Sequence, residues 1–427
     1  MERNAILVGV NIKKSQEDFE YSMQELGNLA EACHMNVLGA MTQNLYQINK
    51  AHYIGTGKIQ ELLAAVNEKE ANIVIFDDEL SPSQIRNLES ELNCEVVDRT
   101  MLILDIFAQR AKTRESQLQV EVARLKYMLP RLVGMGESLG RQGGGSGFKN
   151  RGSGETKLEL DRRRIEEKIA VLNKELEKLV DQRKTQRKLR NKNGIPVVSL
   201  VGYTNAGKST MMNAMLEKYH PNTDKQVFEK DMLFATLETS VRKVELTNHK
   251  TFLLTDTVGF INKLPHHLVK AFRSTLEEVT EADLLIHVLD YSNPYHEEQR
   301  NLTNKILTEI GVKDIPIIYA YNKADLMECD FPAIHLDRVY LSAGKRIGLD
   351  ELTEAICNQI FKDYVQCEFF IPFHEGEIVS FFNKNSHVRS MDYDSTGTKL
   401  LVECKKIDAA KYEKYIVNKK AVGEKNE

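Results

Sequence analysis

Residues 202–209 read Gly202-Tyr203-Thr204-Asn205-Ala206-Gly207-Lys208-Ser209; they follow the mostly apolar run 197–201 and precede a helix-forming run, 210–216. An apolar strand, a loop carrying Gly-x-x-x-x-Gly-Lys-Ser and then a helix make up the phosphate-binding P-loop arrangement. Successive backbone N–H groups and the helix N-terminus form a nest for anions, which a side chain at either glycine would obstruct. In this reading Lys208 bridges the β- and γ-phosphates and Ser209 ligates Mg²⁺. Such a unit belongs to a mostly parallel α/β sheet, so this stretch sets the class of the central domain.

Three further segments select the base. Asp256-Thr257-Val258-Gly259 closes a strand expected at 251–254, where the carboxylate reaches Mg²⁺ through water and the Gly259 N–H meets the γ-phosphate. Asn322-Lys323-Ala324-Asp325 closes a strand expected at 315–320. The Asp325 carboxylate can accept two hydrogen bonds, from N1–H and the 2-amino group of guanine, and adenine has neither donor. A site built around buried polar contacts rejects the wrong partner by of order 10⁴-fold. Ser342-Ala343-Gly344 fits the loop whose backbone N–H contacts guanine O6. The expected ligands are GTP and GDP, with Mg²⁺ as cofactor.

Between the P-loop and Asp256 lie a polar stretch, 219–230, and Leu233-Phe234-Ala235-Thr236-Leu237-Glu238, of which 234–238 are expected at the nucleotide. Thr236 is the natural switch threonine, its hydroxyl on Mg²⁺ and its N–H on the γ-phosphate, with Thr239 the weaker rival. After Gly259 stands Phe260, where many signalling GTPases carry the glutamine that orients the attacking water. Phenylalanine cannot do so, which leaves the catalytic group unknown. Either hydrolysis is slow until a partner accelerates it, or Phe260 is packing and another group or a water network compensates. His266 and His267 read as solvent-facing rather than catalytic.

Outward from this centre the chain divides into four expected parts. Residues 1–99 alternate strand and helix patterns: 5–10, a helix through Phe19, Met23, Leu26 and Leu29, then 36–38, 59–66, 73–76, a helix from Ser81-Pro82, and 95–97. Ser81 suits an N-cap and Pro82 the first helical position, and the alternation implies a parallel-sheet α/β domain. Residues 100–192 form a helical hairpin, with Leu118, Val122, Leu125 and Leu129 facing Ile165, Ile169, Leu172, Leu176 and Leu179 at coiled-coil spacing. Between the two series, residues 134–154 hold nine of the chain's 24 glycines and read as a loop at the tip; the second helix could project about 50 Å. Residues 193–364 form the P-loop domain. Residues 365–427 form a small α+β domain: a strand, a helix from Gly376, strands near 387–391 and 399–403, and a helix over 408–416.

The formal net charge is -4, yet residues 139–192 hold 16 Lys/Arg and 8 Asp/Glu, leaving 42 basic and 54 acidic residues elsewhere. A basic segment is thus set into an acidic protein. The run 182–192 has six Lys/Arg and no acid, and Arg162-Arg163-Arg164 adjoins the glycine-rich stretch. Unmixed positive charge on a projecting hairpin suits RNA phosphates; the expected contacts are Arg141, Lys149, Arg151, Arg162, Arg163, Arg183, Lys184, Arg187 and Lys188.

Hydrophobic residues make up 42% and charged residues 28% of 427, a globular composition with length for two to four domains. No apolar run approaches the ~20 residues of a membrane span. A cytoplasmic protein, monomeric in solution and at most peripherally associated with membrane, is expected. Six scattered cysteines without a CxxC pair read as reduced, mostly buried thiols rather than a zinc module or disulfide framework. Gly55-Thr56-Gly57-Lys58 lacks the full P-loop pattern and reads as a turn into a helix. Asp77-Asp78-Glu79 after a strand could recruit a metal but reads as a solvated loop.

Taken together, the glycine-rich 139–154, the run RGSGETKLELDRRRI at 151–165, Phe234-Ala235-Thr236-Leu237, Asp256-Thr257-Val258-Gly259-Phe260 and Leu264-Pro265-His266 closely resemble the HflX-type GTPases of the translation-factor-related P-loop class. The resemblance covers nearly the whole chain. It implies ribosome-stimulated GTP hydrolysis, binding to the large (50S) ribosomal subunit and its rRNA with the hairpin loop near the peptidyl transferase centre, and splitting or rescue of stalled ribosomes under stress. A large-subunit assembly factor, an antibiotic-resistance ribosome-protection GTPase and a non-splitting regulatory switch are the alternatives. Ser153 departs from the family's usual Arg-Gly-Pro-Gly-Glu, where proline stands.

Overall fold

The computed structural model describes residues 3–12, 15–141, 151–192, 195–219, 234, 239–246, 250–265, 268 and 278–421. These group into two compact units: one holds the described residues of Met1–Leu189, Lys230–Glu238 and Val258–Thr275, the other those of Arg190–Glu229, Thr239–Thr257 and Leu276–Glu427.

The first unit contains β1 (Asn4–Asn11), α1 (Gln16–Ala32), β2 (Asn36–Asn44), α2 (Thr56–Glu68), β3 (Ile73–Phe76), α3 (Pro82–Leu92), β4 (Glu95–Asp98) and α4 (Arg99–Arg110). The sheet order is β2-β1-β3-β4 and every pairing is parallel. Ala5 to Val10 and all of Ile-Val-Ile-Phe in β3 are buried, the near-continuous apolar pattern of strands covered on both faces. Ser81 caps α3 in a capping box with Gln84, with Pro82 opening the helix, as the sequence indicates. Gly55 caps α2, so Gly55-Thr56-Gly57-Lys58 is a helix start, with Lys58 paired to Glu61.

The hairpin consists of α5 (Arg114–Arg141) and α6 (Arg151–Lys192). Leu118, Val122 and Leu172 form its buried seam, flanked by Leu125, Ile169, Leu176 and Leu179. Arg114 grips Glu175 in a bidentate pair at 2.8 and 2.9 Å, and Lys168 pairs with Glu121, so the helices run antiparallel. One expectation is corrected: 134–154 is not a loop throughout, because 134–141 continue α5 and 151–154 open α6. A glycine costs a helix only about 1 kcal/mol, and Met135, Glu137, Leu139 and Arg141 are interleaved with Gly134, Gly136 and Gly140. Residues 142–150, Lys149 among them, lie outside the described residues. At 42 residues α6 is about 63 Å long.

The second unit contains β5 (Val197–Gly202), α7 (Lys208–Tyr219), β6 (Ser240–Glu245), β7 (Thr251–Asp256), β8 (Leu284–Asp290), β9 (Ile317–Asn322), β10 (Ala333–His335) and β11 (Arg338–Tyr340). Its seven-stranded sheet runs β10-β11-β9-β8-β5-β7-β6, parallel except for the edge strands β6 and β10. Its carboxyl edge gathers the loops after β5, β7, β8, β9 and β11, where a doubly wound sheet binds ligand. The antiparallel sheet β13-β14-β12-β15 follows, from β12 (Tyr364–Pro372), β13 (His387–Tyr393), β14 (Gly397–Lys405) and β15 (Ile416–Ala421), with a helix at Gly376–Asn385. Here the helix expected over 408–416 is corrected to a shorter one, Lys406–Lys411; after one 3-10 turn the chain enters β15, which pairs with β12. Pairing partners about 50 residues away settle that strand, and local periodicity does not carry this information. Lys250, before β7, pairs with Glu403 of β14, both side chains buried, and its ammonium lies 5.2 Å from the Phe361 and Tyr364 ring centres.

All six cysteines are free; Cys33, Cys367 and Cys404 are buried and the other three partly so. Burial pushes the Cys33 thiol up to about 12, which keeps it protonated and inert.

Candidate functional site

The P-loop hangs from the end of β5. Gly202 has φ +144, and a Cβ there would stand 2.2 Å from the Val288 carbonyl oxygen; at Gly207, φ +93, it would stand 2.2 Å from Asn322 Nδ2. No side chain fits either position, which explains both motif glycines. Between them Tyr203, Thr204 and Ala206 are buried, while Asn205, at φ +61, is exposed at the tip. Lys208 opens α7 with its side chain buried and donates to the Gly202 and Tyr203 carbonyls at 3.1 and 2.7 Å. Burial lowers its ammonium to about 8, against the opposing pull of Asp256.

Ser209 Oγ donates to Asp256 Oδ2 at 2.7 Å, which places a hydroxyl and a buried carboxylate side by side beneath the loop. Thr257 donates to the Leu200 carbonyl at 2.6 Å and ties the end of β7 to β5. Hard oxygen donors, few in number, suit Mg²⁺, which is ordinarily held by one or two carboxylates together with substrate phosphates. Among the described residues no cluster of three His, Cys, Asp or Glu side chains offers a full protein cage. The Ser209 hydroxyl beside the Asp256 carboxylate is a donor pair that fits the ion.

Asn322 joins three loops: its Nδ2 donates to the Ala206 carbonyl at 2.9 Å, and its Oδ1 accepts the Ala343 N–H at 2.9 Å. The Ala343 N–H is thus engaged within the protein. Lys323 is left-handed, φ +61, and Asp325 sits in the one-turn helix Ala324–Leu326. Hydrogen bonding from Ser342, and then from Lys345 at 3.2 Å, holds the Asp325 carboxyl below the usual range, so it is an anion ready to accept. Ser342 and Ala343 are buried and Gly344 is exposed.

The described residues 258–265 group with the first unit, where Val258, Phe260 and Ile261 are buried, Phe260 at 2% exposure. Phe260 is therefore a packing residue. The buried ring of Phe234 packs edge-on against Phe107 at 4.7 Å, so its side chain serves as an anchor. Ala235, Thr236, Leu237, Glu238, His266 and His267 lie outside the described residues. So do the side chains of Arg141, Arg151, Arg183, Lys184, Arg187 and Lys188; Arg162 is exposed and pairs with Glu166, and Arg163 is exposed.

Asp77 is not the solvated loop residue the sequence suggests. It is fully buried, accepts from Ser22 Oγ at 2.8 Å, pairs with Arg99 at 3.4 Å, and is contacted by Lys263, which also reaches Asp78 at 2.6 Å. Arg99 adds bonds to Glu25 at 3.0 Å and to the Asn262 carbonyl at 3.0 Å. Three and four residues beyond Gly259, Asn262 and Lys263 are thus held by the carboxyl edge of β3 and the start of α4. Sequence reasoning missed this because 186 residues separate Asp77 from Lys263.

Three family models match the chain: the N-terminal region of GTP-binding GTPases over residues 20–108, their middle region over 110–190, and a 50S ribosome-binding GTPase over 197–323. GTPase HflX of Caldanaerobacter subterraneus subsp. tengcongensis is 47% identical over 399 residues, which span 93% of this chain and 90% of that one. The chain belongs to the HflX GTPase family. The Escherichia coli K12 GTPase HflX is 40% identical over 379 residues, 87% of each chain. A GTP-binding protein of Sulfolobus solfataricus, solved with GDP, is 26% identical with a TM-score of 0.44, covering 84% of this chain and 99% of its own. No described helix of this HflX-family chain is long and apolar enough to cross a membrane.

Proposed function

We propose that this HflX-family GTPase binds GTP at the loops joined by Asn322, docks its basic hairpin on large-subunit rRNA in the cytoplasm, and uses binding and hydrolysis of GTP to split or rescue stalled ribosomes. The observation that carries the nucleotide half is the Asn322 bridge from the P-loop to Ala343, which fixes phosphate and base loops as one surface. In this reading 202–209 cradle the phosphates, Lys208 exchanges its carbonyl partners for phosphate oxygens, and Asp325 accepts from guanine. Ser209, Thr236 and, through water, Asp256 would hold Mg²⁺, which would supply neutralisation of phosphate charge. Gly259 senses the γ-phosphate. Phe260 is buried and cannot orient the attacking water; in this reading the ribosome completes the site, so hydrolysis is slow alone and stimulated there. The four-part organisation, 1–99, 100–192, 193–364 and 365–427, divides these tasks.

The RNA half rests on charge. Neutralising Arg183, Lys184, Arg187 and Lys188 together is expected to weaken co-sedimentation with ribosomes and to lower the slope of log affinity against log salt by about 3, with GTP affinity unchanged. Undiminished, equally salt-sensitive binding would remove the hairpin from the interface.

A further inference from the structure

We infer that Asp290, which no motif named above includes, is a positioning residue for the guanine base, acting through Lys323; this rests on the reading that Asp325 accepts from guanine. Asp290 ends β8 and lies in register with Asn322 of β9, and the Tyr291 N–H donates to the Asn322 carbonyl at 2.9 Å. Its Oδ2 accepts from Lys323 Nζ at 2.8 Å. Its Oδ1 accepts from the Ser292 N–H at 3.1 Å and from Ser292 Oγ at 2.6 Å. Both carboxylate oxygens are therefore committed, and the Asp-x-Ser turn fixes the rotamer that meets the lysine.

Lys323 needs that hold. It adopts a left-handed backbone, φ +61 and ψ 28, unfavourable for a residue with a Cβ, and so turns back toward β8 rather than running on with the chain. The Ala324 N–H, bonded to the Leu341 carbonyl at 3.1 Å, fixes the next residue. With its ammonium tied to Asp290, the four-carbon stem is held at both ends and stays 28% exposed. Lysine stems cover flat apolar surface while their heads stay in polar contact, and a purine face is such a surface. An untethered lysine would have to be ordered when the nucleotide arrives, at a cost in side-chain entropy. Asp290 pre-orders it. Because the stem reads the face of the base and not its edge, this contribution is the same for any purine that the Asp325 edge accepts.

The test compares the full chain with Asp290→Asn, Lys323→Met and the double variant, measuring affinity for GDP and GTP, steady-state hydrolysis, and thermal unfolding without nucleotide. Asparagine retains the Ser292 turn but loses the charge on Lys323. Asp290→Asn is expected to weaken GDP and GTP alike by about tenfold, raising KM with kcat retained and the nucleotide-free unfolding midpoint unmoved. The double variant should bind no more weakly than Lys323→Met, since Asp290 acts through that lysine. Wild-type affinity in Asp290→Asn, or losses that multiply in the double variant, would overturn the inference. A wild-type chain that bound ATP as well as GTP would instead overturn the base reading beneath it.

Discussion

Asp325→Asn is expected to erase the preference for guanine nucleotides. The carboxylate is held as an anion by Ser342 and Lys345, so both of its oxygens are acceptors at the pH of the cell. Guanine presents two donors to it, N1–H and the 2-amino group. An asparagine in the same place sets its own NH₂ against one of them, and the mismatch is of the kind that costs about 10⁴-fold where a polar site is desolvated. Xanthosine triphosphate, with a carbonyl in place of the 2-amino group, should gain what GTP loses. Competition between GTP, ATP and xanthosine triphosphate for the wild-type and variant chains reads this directly. A variant that still chose GTP over ATP by the wild-type factor would refute the assignment of Asp325.

The second large effect is on stability. Arg99 is 2% exposed and is the shared partner of Glu25 and Asp77, which are 4% and 0% exposed. It also donates to the Ser22 and Asn262 carbonyls. Arg99→Met would remove the guanidinium that Glu25 and Asp77 share, leaving Lys263 and the Ser22 hydroxyl to hold Asp77. Removing one partner of such a buried network costs about 3–5 kcal/mol, a large share of a domain's ordinary stability. The chain contains no tryptophan, so amide hydrogen exchange is the better probe: protection of β1 and β3 should fall by about 10²- to 10⁴-fold. Arg99→Lys should recover part of it, since an ammonium cannot reach all four acceptors at once. A loss under about tenfold would mean that the network is not what holds this unit together.

How far the sequence speaks depends on the range of the interaction. The P-loop, Asp256 and Asn322 through Asp325 lie at strand ends as their motifs require, because each motif is a local device whose chemistry and backbone geometry are specified together. Ser81 and Pro82 cap α3 for the same reason. Ends and edges were less legible. The hairpin helices run into the glycines because a few scattered glycines weaken a helix without ending it, and β15 exists through pairing with a distant strand. Contacts between remote segments were not legible. Asp77 beside Lys263 and Phe234 against Phe107 are long-range pairings with no periodicity to announce them. Asp290 carried a signal that could have been used, since Asp-x-Ser at the end of a strand is a known turn, but nothing local says that its partner is Lys323.

The central claim, that GTP binding is converted into separation of ribosomal subunits, is tested most directly by sedimenting intact ribosomes through a sucrose gradient with the full chain and a non-hydrolysable GTP analogue. The account predicts conversion of intact ribosomes into free subunits, with this protein on the large one and no conversion with GDP. Intact ribosomes that carry the protein without coming apart, or association only with immature large-subunit particles, would contradict it.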